Sequence, residues 1–157
     1  MERQGNLATL EAKIRHIVET CASESNTPLY GWNYLYDEWY TINERMSSEN
    51  LPCVMNITPP SGRLVQGKVG WRDEGDCIIG FAKKMDFDHD GTETDESMVQ
   101  PCKEAAVQFL TAVGQSGLFM PIPEEITYSV IFDHLDCNVC VVAIQVRLQE
   151  REGYCTI

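Results

Sequence analysis

Met98, Cys102, Ala105, Ala106, Phe109, Leu110 and Val113 recur at steps of three and four, which places them in a single stripe along one helix. An apolar stripe of that length has to be covered, and the strand-like runs on either side of it are what the chain offers as cover. Directly before the helix lies an acidic loop, Asp86-Phe87-Asp88-His89-Asp90-Gly91-Thr92-Glu93-Thr94-Asp95-Glu96. Ser97 and Gln100 have the spacing of a capping box, although Pro101 close behind allows the cap to sit upstream at Thr94 or Asp95. Gly114 and Gly117 are expected to end the helix.

A second, earlier stripe is shorter. Over Thr9 to Ala22 the residues Leu10, Ile14, Ile17, Val18 and Cys21 fall on one face, with Glu11, Lys13, Arg15 and Glu19 elsewhere. After the break at Pro28 comes an aromatic run from Tyr30 to Tyr40, in which Trp32, Tyr34 and Tyr36 fit a strand while Leu35, Trp39 and Ile42 fit a short helix. Aromatics with polar tips suit an interface or a half-buried edge better than a sugar platform, so Trp32, Tyr34, Tyr36 and Trp39 are interface candidates.

Leu51 to Thr58 reads as a buried strand closed by the breaker Pro59-Pro60-Ser61-Gly62. A strand over Gly62 to Trp71, a turn at Asp73-Glu74-Gly75-Asp76 and a strand over Cys77 to Ala82 follow. Connections this short cannot carry a crossover helix, so the three strands are expected to pair antiparallel. Beyond the second helix, Ile126 to Phe132 and Val139 to Leu148 make two more strands around a turn at His134-Leu135-Asp136-Cys137-Asn138. The expected fold is therefore α+β, in the order α-β-β-β-α-β-β: an antiparallel sheet of about five strands with both helices packed on one face. At 157 residues this is one domain, 1–157, large enough to bury roughly two-thirds of the surface of its unfolded chain.

Charge and cysteine usage narrow the class of function. A net charge of −12 repels a phosphate backbone, so direct nucleic-acid binding is not expected. The polar start, Met1 to Asn6, lacks a secretory apolar core, and no apolar run reaches the roughly 18 residues of a membrane span. A cytoplasmic protein is expected, with its seven cysteines reduced and mostly buried.

Few residues carry obvious chemistry. Asp86, Asp88 and Asp90, with Gly91, match the opening of a calcium loop, where alternate carboxylates converge on one ion. The match then decays: Glu93 stands where an apolar residue belongs, and Ser97 stands where the bidentate Glu belongs. A solvated acidic turn favouring the positive end of the helix is the simpler reading, with calcium as the alternative cofactor. Cys137 and Cys140 lack a second pair to complete a zinc site. Asp133, His134 and Asp136 offer a base and its orienting group, yet a polar hairpin turn accounts for them more simply. No elbow frames a nucleophile and no phosphate-cradling loop is present, so the chain is not expected to be an enzyme.

Several stretches carry a resemblance. The strand Leu51-Pro52-Cys53-Val54-Met55 with its Pro-Pro-Ser-Gly turn, Phe87-Asp88-His89-Asp90-Gly91 before a helix ending Glu104 to Leu110, and the tail Tyr128 to Val139 with terminal Gly153-Tyr154-Cys155 resemble small proteins of Bacteroides-type prophages. The helix, sheet, helix, hairpin order is similar to that of phage tail-terminator and head-tail-joining proteins. The resemblance implies a structural protein of a bacterial host's cytoplasm that enters a virion. It further implies a homo-oligomeric ring, commonly a hexamer in such proteins, meeting tail-tube and connector partners. An acidic lumen in such a ring lets DNA pass without sticking.

Overall fold

The computed structural model describes residues 9–38, 42, 50–68, 70–84, 96–133 and 139–151. Two helices, α1 (Leu10–Ala22) and α2 (Glu96–Ser116), pack on a mixed sheet of β1 (Asn33–Glu38), β2 (Cys53–Gln66), β3 (Trp71–Lys84), β4 (Thr127–Asp133) and β5 (Val139–Gln149). The fold is α+β, with strand order β1-β2-β3-β5-β4. A short segment extends it, because the amide of Met120 donates to the Gln149 carbonyl at 2.8 Å and that of Arg151 to the Leu118 carbonyl at 3.0 Å. With that bridge at Phe119 and Glu150 the sheet has six pairing segments, not five.

Local chemistry sets the helix limits. Thr9 caps α1 by accepting from the Ala12 amide at 3.0 Å, which satisfies one of the free donors of the first turn. In α2 the start is Glu96, so Ser97 lies inside the helix and is not its cap, while the proposed caps Thr94 and Asp95 lie outside the described residues. Pro101 sits within this helix early enough that it interrupts only one backbone bond near the start. Gly114 is helical too, and the chain turns only at Gly117, whose φ of +75° suits a residue without a Cβ.

Both helices lie on one face of the sheet. Ile14, Ile17 and Val18 of α1 and Cys102, Ala105, Phe109 and Val113 of α2 join the alternate residues Val54, Ile79, Phe81, Val142 and Ile144 in one buried cluster. Its centre is the tilted ring pair Phe81 and Phe109, with centroids 5.8 Å apart. A smaller cluster of Leu35, Cys53, Met55, Ala82, Val139 and Val141 lies on the opposite face, where the fully buried Ile42 packs against it.

Three expectations are corrected. First, β1 pairs with β2 in parallel, Asn33 opposite Cys53 through Glu38 opposite Thr58, so the sheet is mixed and not antiparallel throughout. The middle of the ambiguous aromatic run, Asn33–Glu38, is thus a strand, and its long connection to β2 leaves room for a parallel return. Second, Pro59-Pro60 does not end a strand. β2 runs through it with a register shift between Ile57 and Ser61, an irregularity that accommodates residues with no N–H to donate. Third, Asp73 to Asp76 is not a turn but the middle of β3, opposite Leu64 to Ser61. The hairpin turns instead at 67–70, where the Gly67 amide donates to the Gly70 carbonyl at 2.7 Å. Gly75 serves close approach rather than turning, because a Cβ there would come within 2.5 Å of Leu10 Cδ2 on α1.

Candidate functional site

Where α1 crosses the end of the sheet, it carries a charge into the core. Lys13 is 1% exposed, contrary to its expected place off the apolar face, and its ammonium pairs with the carboxylate of Glu150, which is fully buried. The other Glu150 oxygen accepts from the Asp73 amide at 2.7 Å. The pair therefore ties α1, β3 and the end of β5 together. Such a pair is poor evidence of net stabilisation, but losing one partner strands the other charge in a low-dielectric interior. Asp73 feels the same surroundings: burial and then the Glu150 charge raise its carboxyl above the usual range, with Lys13 opposing.

Beside this clasp, a pocket of about 230 Å³ is bordered by Glu11, Tyr36, Asn56, Asp73 and Cys77. Next to it the Tyr34 hydroxyl donates to Glu11 Oε2 at 2.9 Å and accepts from Asn56 Nδ2 at 3.1 Å. Arg15 stacks over the Tyr34 ring, 5.4 Å from its centroid, and reaches Glu11 at 3.2 Å. Burial pushes the Tyr34 phenol far up. Burial likewise pushes the Cys77 thiol up to about 12, aided by Asp73 and Asp76, so it stays protonated and is a weak nucleophile. This cluster is a hydrogen-bonded polar layer under a helix, in which the buried Asn56 Oδ1 has no partner among the described residues.

The opposite face is organised differently. Where the smaller apolar cluster stops, an open groove of about 800 Å³ runs between the sheet and a wall of Pro121, Ile122 and Pro123, floored by Ile78, Gln145 and Arg147. Arg147 Nε donates to Asp76 Oδ1 at 2.9 Å, and that guanidinium, more than any other neighbour, holds the Asp76 carboxyl below the usual range. Glu124 and Glu125, which follow in the chain, are exposed.

The residues singled out in the sequence separate. Trp32 is 8% exposed and belongs to the core, Tyr34 is half-buried in the polar layer, and Tyr36 is 39% exposed at the end of that pocket. Trp39, the calcium candidates Asp86, Asp88 and Asp90, the His134 hairpin and Cys137 lie outside the described residues. Among the described residues, no group of three or more His, Cys, Asp or Glu side chains is placed to hold a metal ion. The described cysteines, Cys21, Cys53, Cys77, Cys102 and Cys140, are all buried and free. No helix among the described residues is long and apolar enough to cross a membrane.

Lys13 and Glu150 were not anticipated. The signal existed for Lys13, since it stands three residues after Leu10 and four before Ile17, on the stripe itself. The models of known protein families give no match to this chain, and neither do the curated proteins.

Proposed function

We propose that this chain is a structural assembly subunit resembling phage tail-terminator and head-tail-joining proteins, one that closes with copies of itself into a ring. What supports the reading is a single arrangement: both helices cover one face of the sheet, and β1 and β4 stand at its two edges among the described residues. An edge strand is a ready template for a neighbour, and a repeated head-to-tail contact closes a ring when its rotation closes. The role is structural and not catalytic. Its partners are a tail tube and a head connector, and its acidic surface keeps passing DNA from adhering.

Light scattering coupled to size exclusion, followed by negative-stain imaging, tests this. The expected outcome is a closed assembly of several times the 17.8 kDa chain. A strictly monomeric protein at high concentration, in low and high salt and with tail-tube protein added, overturns it.

A further inference from the structure

Under the first turns of α1, the cavity of about 230 Å³ brings together an acceptor without a donor and a carboxyl without a cation. Asn56 stands on β2 opposite Tyr36 and Ile79, so alternation turns its side chain toward the helix-covered face with Val54 and away from Met55. Its nitrogen donates to the Tyr34 hydroxyl at 3.1 Å. Its Oδ1 has no donor among the described residues, although Asn56 is 2% exposed and borders the cavity. Buried acceptors are nearly always paired, so this one leaves a place for a donor from outside the chain.

The charges around the cavity are unevenly matched. Glu11 pairs with Arg15 and Glu150 with Lys13, while Asp73, which also lines the cavity, enters no ion pair among the described residues. Burial and then the Glu150 charge work against the Asp73 carboxylate, and Lys13, which opposes them, is held by Glu150. A cation brought into the cavity would relieve that penalty. A bare metal ion is the poorer occupant, because no three His, Cys, Asp or Glu side chains among the described residues gather to hold one. Leu10 and Ile14 of α1 add an apolar wall, which suits a cation carried on a hydrocarbon stem.

We propose that this cavity binds a primary ammonium group on a short alkyl chain, free or at the end of a lysine side chain, with Asp73 and Asn56 Oδ1 accepting from the ammonium and Leu10 and Ile14 covering the stem. The site lies beneath α1 on the helix-covered face, and it does not depend on how copies of the chain assemble. An ammonium has three donors and no acceptor, which matches a lining of carboxyl and amide oxygens. A neutral alcohol of the same length lacks the charge that Asp73 requires.

Calorimetric titration of the full-length protein with n-butylammonium chloride tests the site, with sodium chloride at matched ionic strength and 1-butanol as controls. Saturable binding on the order of millimolar is expected for the ammonium and none for either control. Asp73→Asn, which keeps the side-chain shape and removes the charge, is expected to weaken binding roughly tenfold or more, as is Asn56→Leu. Thermal melting of each variant reports folding separately, and if Asn56→Leu fails to fold, Asp73→Asn decides alone. No saturable response to butylammonium overturns the proposal, as does an equal response to 1-butanol or undiminished binding in Asp73→Asn. Nα-acetyl-lysine methylamide separates the two sources: binding at least as tight as that of butylammonium supports the site with a lysine side chain as its occupant, and binding of butylammonium alone supports it with a free amine.

Discussion

Two ion pairs flank the same end of β5, and they have opposite characters. Lys13 and Glu150 meet on the helix-covered face with side chains 1% and 0% exposed, whereas Arg147 and Asp76 meet on the open face at 45% and 47%. Asp73 and Asp76, three residues apart on β3, shift in opposite directions, Asp73 up through burial and the Glu150 charge and Asp76 down through its bond from Arg147. The difference is solvent: burial penalises every charge it cannot pair, while an exposed carboxylate beside a guanidinium gains without that penalty. At this end of the sheet one face holds its charges out of water and the other leaves them in it.

The sharpest way to break the comparison is to remove one member of the buried pair. Lys13→Ala strands Glu150 and should cost about 3–5 kcal/mol in urea unfolding, whereas a Lys13→Met, Glu150→Leu double change should recover most of that loss. A double change as damaging as the single one would show that the pair contributes through more than charge neutralisation. Next in size, Tyr34→Phe removes the hydroxyl between Glu11 and Asn56, and leaving the buried Asn56 amide unsatisfied should cost about 1–3 kcal/mol by the same measurement.

The two aspartates sharpen it through pH. Asp73 has a folded pKa above its ordinary 3.8, so its charged form is disfavoured in the native state and stability falls as pH rises through the raised value. Asp73→Asn should therefore stabilise at neutral pH, and the gain should vanish below about 3.8, where wild-type Asp73 is protonated folded or unfolded. Asp76 has the opposite sign: its contribution is present above the ordinary value and lost as pH falls through the lowered one. Unfolding midpoints of both Asn variants across acid pH check the two signs against each other. Smallest of all, Arg147→Ala should leave the neutral-pH urea midpoint within scatter, because an exposed pair in high dielectric contributes little. A clear shift there would mean that the open face is less wet than its exposure indicates.

Much of the layout was legible along the chain. The stripes of α1 and α2 and the hairpin of β4 and β5 are local patterns, and their limits fall within a few residues of the expected ones. What misled was punctuation. Pro59-Pro60 and Asp73-Glu74-Gly75-Asp76 both look like breaks, but Pro is tolerated where the register slips and Gly75 is needed where Leu10 presses on the strand. Lys13 misled in the other direction, since a lysine on an apolar stripe is read as a surface charge until its carboxylate is found 137 residues away.

The sequence by itself determined the two helices, the hairpin of β4 and β5 and the strongly acidic balance of the chain, because periodicity and net charge are read along the chain. Only the tertiary structure decided that β1 runs parallel to β2, that Lys13 and Glu150 meet inside, and that one sheet face stays partly open. Those outcomes depend on contacts between residues far apart in the chain, and no local pattern encodes which distant partner will remove a given group from water.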